Sequence, residues 1–223
     1  MLLTAECGKE AANDRNYERR TNMKREVRLT FTEHVLGTAS ANPEIHAEFI
    51  ASKAPDALSL EEEVAALGAE AVEQRETSVF PRDENGRPFL WDYQVKGFFK
   101  GTCGFLRRVP GTKASGIKNY KKVLDGLLFV HPRKILLQLP EGAELFSVQR
   151  PLRAETLRGE RVALANSEAA PAGTVIEFEV ESLTKEVHAF AAEALDYGSL
   201  SGIGQWRNSG AGRFTWEEDL IEE

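Results

Sequence analysis

Apolar and polar residues along most of the chain follow one of two periods, and these divide it into elements. From residue 27 the side chains alternate, with Val27, Leu29 and Phe31 set between Arg28, Thr30 and Thr32. A period of two predicts a half-buried strand over 27–34. The alternation returns over 174–182, where Ile176, Phe178 and Val180 are separated by Glu177 and Glu179. Strand-like runs occupy 127–130 and 133–139, a hairpin is expected from 147–155 and 160–167 joined around Arg158-Gly159, and a last strand falls at 213–216.

Helical spacing governs two longer stretches. Over 92–108, Val95, Phe98, Phe99, Cys103 and Leu106 fall on one face, with Asp92 as the candidate N-cap. Gly97, Gly101 and Gly104 each lower helix propensity there by roughly 1 kcal/mol, which predicts another backbone packed closely on them. Over 183–197 the inward positions are Val187, Phe190, Ala191 and Ala194. A short helix is expected over 117–125, and Asn85-Gly86, in a polar run between apolar flanks, is the strongest short hairpin signal. The core therefore reads as β-α-β-β-α-β, an α+β sheet with helices on one side.

Two segments stand outside that core. Residues 1–22 are polar, lack periodicity and precede a second methionine at Met23, so they read as a disordered extension before one domain over 23–223. Two helical stretches, 43–53 and 60–74, lie in an acidic segment over 38–77 that reads as an insertion.

Charge changes the picture. The net charge of −7 argues at first against nucleic acid and favours a scaffold or interaction protein without RNA binding. Its distribution argues the other way. From 79 to 138 there are twelve Lys and Arg against four acids, a local balance of +8. The segment 38–77 stands at −7 and 139–223 at −9. A basic middle third suits a local anionic partner.

No apolar run approaches the roughly 18 residues of a membrane span, and the N-terminus has no hydrophobic signal core. Two cysteines, Cys7 and Cys103, exclude a disulfide scaffold, and the four histidines show no metal spacing. A cytoplasmic protein with no cofactor, no metal, no membrane partner and no direct DNA contact is expected.

The candidate chemistry gathers near the C-terminus, in Gly202-Ile-Gly204-Gln-Trp206-Arg207-Asn-Ser-Gly210-Ala-Gly212-Arg213-Phe214. Glycines admit a close backbone approach, Arg207 and Arg213 supply charge, and Trp206 offers a stacking face. The loop follows a helix and precedes a strand, the reverse of a dinucleotide-binding turn.

This loop resembles the glycine-rich loop of the RAMP superfamily of CRISPR proteins, in particular the repeated backbone subunit of type III effector complexes. Two further segments resemble the same family in the same order. Pro88-Phe-Leu-Trp-Asp-Tyr93-Gln-Val-Lys96-Gly97 is similar to its entry into the first core helix, with Asp92 and Tyr93 in place of the usual Gly-Ser. Arg150-Pro-Leu-Arg153 through Ala170-Pro171-Ala-Gly173-Thr174-Val-Ile-Glu-Phe178 is similar to the stretch leading to its Val-Pro-x-Gly-Thr-x-Phe.

The resemblance implies a ferredoxin-like (RRM-like) core that grips a guide RNA, with a hairpin thumb over 145–168 and the segment 38–77 as a lid. Lys96, Lys100, Arg107, Arg150, Arg153, Gly204, Trp206, Arg207, Gly210, Gly212 and Arg213 would line the RNA. Partners would be RNA, further copies of the chain, and other CRISPR complex subunits; a stand-alone, phage-borne copy would act as a decoy or anti-CRISPR factor. The cleaving members carry an aspartate in the loop after the first strand. Here that loop reads Leu36-Gly-Thr-Ala-Ser-Ala-Asn42, so a non-catalytic protein is expected. The alternative is an endoribonuclease using His34 as general acid or base.

Overall fold

The computed structural model describes residues 23–40, 77–156 and 159–218. After β1 (Met23–Phe31) come the short strands β2 (Val35–Leu36), β3 (Ala39–Ser40), β4 (Ser78–Val79) and β5 (Phe89–Trp91), then helix α1 (Asp92–Leu106). A 3-10 turn (Lys113–Gly116) leads to α2 (Tyr120–Leu127), β6 (Leu128–His131) and β7 (Lys134–Leu136). The hairpin of β8 (Phe146–Thr156) and β9 (Gly159–Ala170) follows, and β10 (Val175–Ser182), α3 (Lys185–Ser201) and β11 (Phe214–Glu218) complete the order.

The central sheet runs β11-β1-β10-β6, antiparallel throughout. Ranked by chain position these core strands stand fourth, first, third, second. α1 lies between β1 and β6 in the chain, and α3 between β10 and β11. This is the β-α-β-β-α-β plan that the two hydrophobic periods require, because each amphipathic helix must bury its stripe on the one apolar face of the sheet. Val27, Leu29, Phe31, Ile176, Phe178 and Val180 bury from the strands, and Val95, Phe98, Phe99, Val187, Phe190 and Ala194 from the helices. Each large side chain buried this way contributes about 1.5–3 kcal/mol. Cys103 sits in the same cluster, where burial pushes its thiol up to about 11.

Several elements differ from their sequence expectation. β1 starts at Met23, opposite Ser182, and stops at Phe31, because the amide of Thr32 turns to the carbonyl of Arg213 at 2.9 Å. The N-cap of α1 is Trp91, whose amide donates to Gln94 Oε1 at 2.7 Å, while Asp92 enters the first turn. The helix over 117–125 is displaced to α2, entered through a left-handed Asn119, and α3 runs on to Ser201. Among the described residues no backbone packs on the α1 glycines. A Cβ on Gly97 would meet nothing within 4 Å, one on Gly104 would meet the Tyr120 hydroxyl at 3.0 Å, and one on Gly101 the Arg207 guanidinium at 3.8 Å. These glycines keep the outer face of α1 low.

A second sheet, β2-β9-β4-β3, carries β8 on β9, with β8 and β9 in register from Phe146↔Ala169 to Thr156↔Gly159. The hairpin expected around Arg158-Gly159 is therefore present, its 157–158 turn lying outside the described residues. β3 and β4 pair side by side, so the chain leaves at Ser40 and returns at Ser78 in the same place. The extension 1–22 and nearly all of the acidic segment 38–77 also lie outside the described residues. β5 and β7 form a two-stranded ribbon at the N-terminus of α1.

Candidate nucleic-acid interface

The glycine-rich segment is a looped excursion between α3 and β11, closed at its neck. Ile203 donates its amide to the Gly212 carbonyl at 2.8 Å, and Gly212 donates to the His34 carbonyl at 2.8 Å. A Cβ on Gly212 would run into the Ile203 carbonyl oxygen, and its φ of 72° is open to glycine at little cost. Gly212 thus shuts the neck. Gly204 and Gly210, with φ of 88° and 90°, bend the two sides of the loop. At the tip a 3-10 turn, Arg207–Ser209, is preceded by Trp206 at φ 57°. A bulky residue in that left-handed region costs about 1–3 kcal/mol and persists only where its surroundings impose it.

The surroundings include Arg150, on β8. Its guanidinium lies 5.5 Å from the centre of the Trp206 ring, and its Nη2 donates to Gln205 Oε1 at 2.7 Å. Arg150 is only 8% exposed, its Nε is buried without a partner, and burial lowers its affinity for its proton. Among the described residues no carboxylate pairs with it. A buried cation ordinarily has an anionic partner, since the desolvation cost runs to several kcal/mol. Among the described residues its compensation is a neutral amide and an aromatic face. The hairpin and the loop together hold a positive charge whose counter-charge the described residues do not supply.

The other sequence-predicted residues lie in separate places. Arg207 joins the loop to α1 by reaching over Gly101. Arg213 is a structural anchor at the loop's end, its Nε donating to the Leu200 carbonyl at 3.1 Å, where a cation complements the C-terminus of α3. Lys96, Lys100 and Arg107 turn to α2. Lys100 pairs with Asp125 at 2.7 Å, Lys96 donates to the Asp125 carbonyl at 2.9 Å and sits over Phe129, and Arg107 covers the Tyr120 ring. They flank the outer face of α1 on the side away from the loop. Arg153 lies on β8 opposite Val162. His34 stands beside the loop neck with its ring edge-on to Phe146, and its Nε2 is buried with no hydrogen-bond partner.

The open face of the sheet excludes itself as a phosphate surface. Alternation turns Glu26, Glu177, Glu179, Glu181 and Glu217 away from the helices, against Lys24 and Arg28 alone. Both cations are committed, Lys24 to Glu179 and Arg28 to Glu177, each at 2.9 Å. On the same face the ligand atoms of His131, Glu179 and Glu181 lie within 4.8 Å of one another. That set of one imidazole and two carboxylates has metal-ligand chemistry, and sequence spacing missed it because β6 and β10 are distant in the chain. Gln205 was missed for the same reason: nothing local marks it as the partner of a residue on β8.

No protein-family profile and no curated protein matches the chain. The likenesses are structural. A chain of the type III-B Cmr-beta complex bound to cognate target RNA superposes with a TM-score of 0.53 at 9% identity, covering 88% of this chain and 59% of that one. The fold is shared. Two others superpose more loosely: a chain of a type IV-B CRISPR complex (TM-score 0.46, 14% identity, 90% and 92% covered) and a chain of type III-B Cmr-beta in the apo state (0.48, 11%, 89% and 98%). The protein thus spans about three fifths of the type III-B chain whose fold it shares. No helix among the described residues is long and apolar enough to cross a membrane.

Proposed function

We propose that the protein is a non-catalytic RNA-binding subunit that grips the backbone of a guide RNA at its glycine-rich loop. The observation that carries this reading is Arg150, a buried guanidinium whose counter-charge the described residues do not supply. A phosphate at the exposed edge of the guanidinium supplies that charge and leaves the exposed face of Trp206 for a base. Arg207 stands on the α1 side as a second phosphate contact, and Lys96, Lys100 and Arg107 border the track beyond it. The structural relative with a TM-score of 0.53 is a chain from a complex bound to cognate target RNA, which supports RNA over other polyanions. In this reading the β8–β9 hairpin is the thumb, 38–77 the lid, and the partners are other complex subunits or further copies of the chain.

Phosphate contacts position RNA without reading its sequence, so affinity falls steeply with salt. Arg207→Glu is expected to weaken RNA binding at every sequence without lowering the melting temperature. Wild-type affinity in Arg207→Glu at matched salt removes the assignment. Light scattering with absorbance at 260 and 280 nm, before and after nuclease, tests whether the purified protein carries RNA.

A second reading, cleavage by His34, rests on its place beside the loop neck and its unpartnered Nε2. RNA cleavage that persists in His34→Ala rules it out.

A further inference from the structure

The fold exposes a second feature suited to nucleic acid, on the β5–β7 ribbon and the first turn of α1. Leu90 and Ile135, paired across the ribbon, bury on one side. The other side carries aromatic rings in sequence. Phe89 meets Trp91 edge-on at 4.8 Å, and Trp91 and Tyr93 lie nearly parallel, 15° apart, with centroids 6.2 Å apart. Cations stand among them: Arg133 is 5.4 Å from the Trp91 ring centre, and Lys134, opposite Trp91 in register, is 5.6 Å from that of Phe89. The outer end is open, with Tyr93 53% exposed and the Arg133 side chain 72% exposed. Asp92 neutralises Arg133 only loosely, at 3.7 Å.

Phe89, 2% exposed, belongs to the interior, and the rings run outward from it through half-buried Trp91 to the open end at Tyr93. An aromatic series ending in an exposed Tyr, with cations at its rim, matches a single strand of nucleic acid: each base offers a π-face and each phosphate a charge. The position fits as well. Tyr93, Gly97 and Gly101 fall at i, i+4 and i+8 on one face of α1, so they share a line along the helix. That line runs about 12 Å from the aromatic ladder to Arg207, and Gly97, between them, projects no side chain.

We propose that this ladder is a second RNA contact, in which an unpaired base stacks on Tyr93 while Arg133 and Lys134 take its phosphates. The strand crosses the glycine face of α1 and continues to the loop. The inference rests on the RNA-binding reading above, but it concerns stacking at a separate place, and the two fail differently.

The test compares fluorescence anisotropy of a labelled oligouridylate with that of an abasic oligomer of the same length and charge, using the full chain. Stacking on one aromatic residue is worth about 1–3 kcal/mol, so Tyr93→Ala should bind oligouridylate about tenfold more weakly. Its affinity for the abasic oligomer should not change, and Tyr93→Phe should match wild type on both. If Tyr93→Ala matches wild type on both oligomers while Arg207→Glu weakens both, the ladder is not an RNA contact and the loop reading stands. If Tyr93→Ala weakens both equally, base stacking at Tyr93 is refuted. If wild type binds neither, both proposals fall.

Discussion

Replacing Arg150 by methionine separates what the residue does for the fold from what it does for a ligand. The substitution keeps most of the side chain's volume and removes its charge. It loses the bond to Gln205, about 1.5–3 kcal/mol for a charged donor, and the contact with Trp206, about 0.5–2 kcal/mol. It recovers the penalty of an unpartnered buried Nε, about 1–3 kcal/mol, and part of the several kcal/mol of desolvating a guanidinium that is 8% exposed. These contributions are of equal size and opposite sign. The melting temperature of Arg150→Met should therefore stay within about 4 °C of wild type or rise, since about 1 kcal/mol moves a chain of this size by about 2–4 °C. RNA affinity should fall at least about tenfold, the equivalent of one charge-assisted bond to phosphate. Thermal unfolding and anisotropy at one fixed salt concentration read the two quantities on the same preparation. A large loss of melting temperature with undiminished RNA affinity would refute the reasoning, because it would make Arg150 a structural residue whose charge is satisfied within the fold.

Other expectations follow from the packing and the titrating groups. Gly198 faces the Phe214 ring so closely that a Cβ there would enter it; Gly198→Ala should destabilise by about 1–3 kcal/mol despite its better helix propensity, measured by urea unfolding. His188 Nε2 accepts from Arg25 Nη2 at 3.1 Å, and burial, then Arg25, holds its pKa below the ordinary value, with Glu218 opposing. The folded state thus binds its proton less readily than the unfolded chain. Stability is complete above about pH 6.5 and declines as pH falls through that value toward the depressed folded one. His188→Gln should flatten that part of the melting-temperature profile, and an unchanged slope would count against the assignment. Cys103, pushed up to about 11 in the core, should resist thiol reagents at pH 8 in a Cys7→Ser background until the protein is unfolded; rapid labelling of the native state would contradict its burial.

The residues that could be read correctly were those whose fate is decided by near neighbours. Val27, Leu29 and Phe31 announce a strand because alternation admits no other way to bury all three, and Val95, Phe98, Phe99 and Cys103 likewise announce one helix face. Asn85-Gly86 marked its turn, where Gly86 takes φ 76° and Asp83 Oδ1 accepts from the amides of Asn85 and Arg87 at 2.9 and 2.8 Å. The α1 glycines were misread because a missing Cβ says that space is wanted and not what fills it. Lys96 and Lys100 sit on the same helix as Gly101, yet they face Asp125 and not the loop, a distinction that depends on where α2 packs.

By itself, then, the sequence determined the alternation of strands and helices, the hairpin, the core residues and the loop that carries Trp206 and Arg207, because short-range periodicity and backbone preference specify these. Only the tertiary structure decided that β8 delivers Arg150 beneath Trp206, that Gln205 is its sole side-chain hydrogen-bond partner among the described residues, and that Arg133 comes to lie on Trp91. Each of those joins residues far apart in the chain. Such contacts arise from how sheets and helices stack, and nothing in the local sequence around either residue encodes its partner.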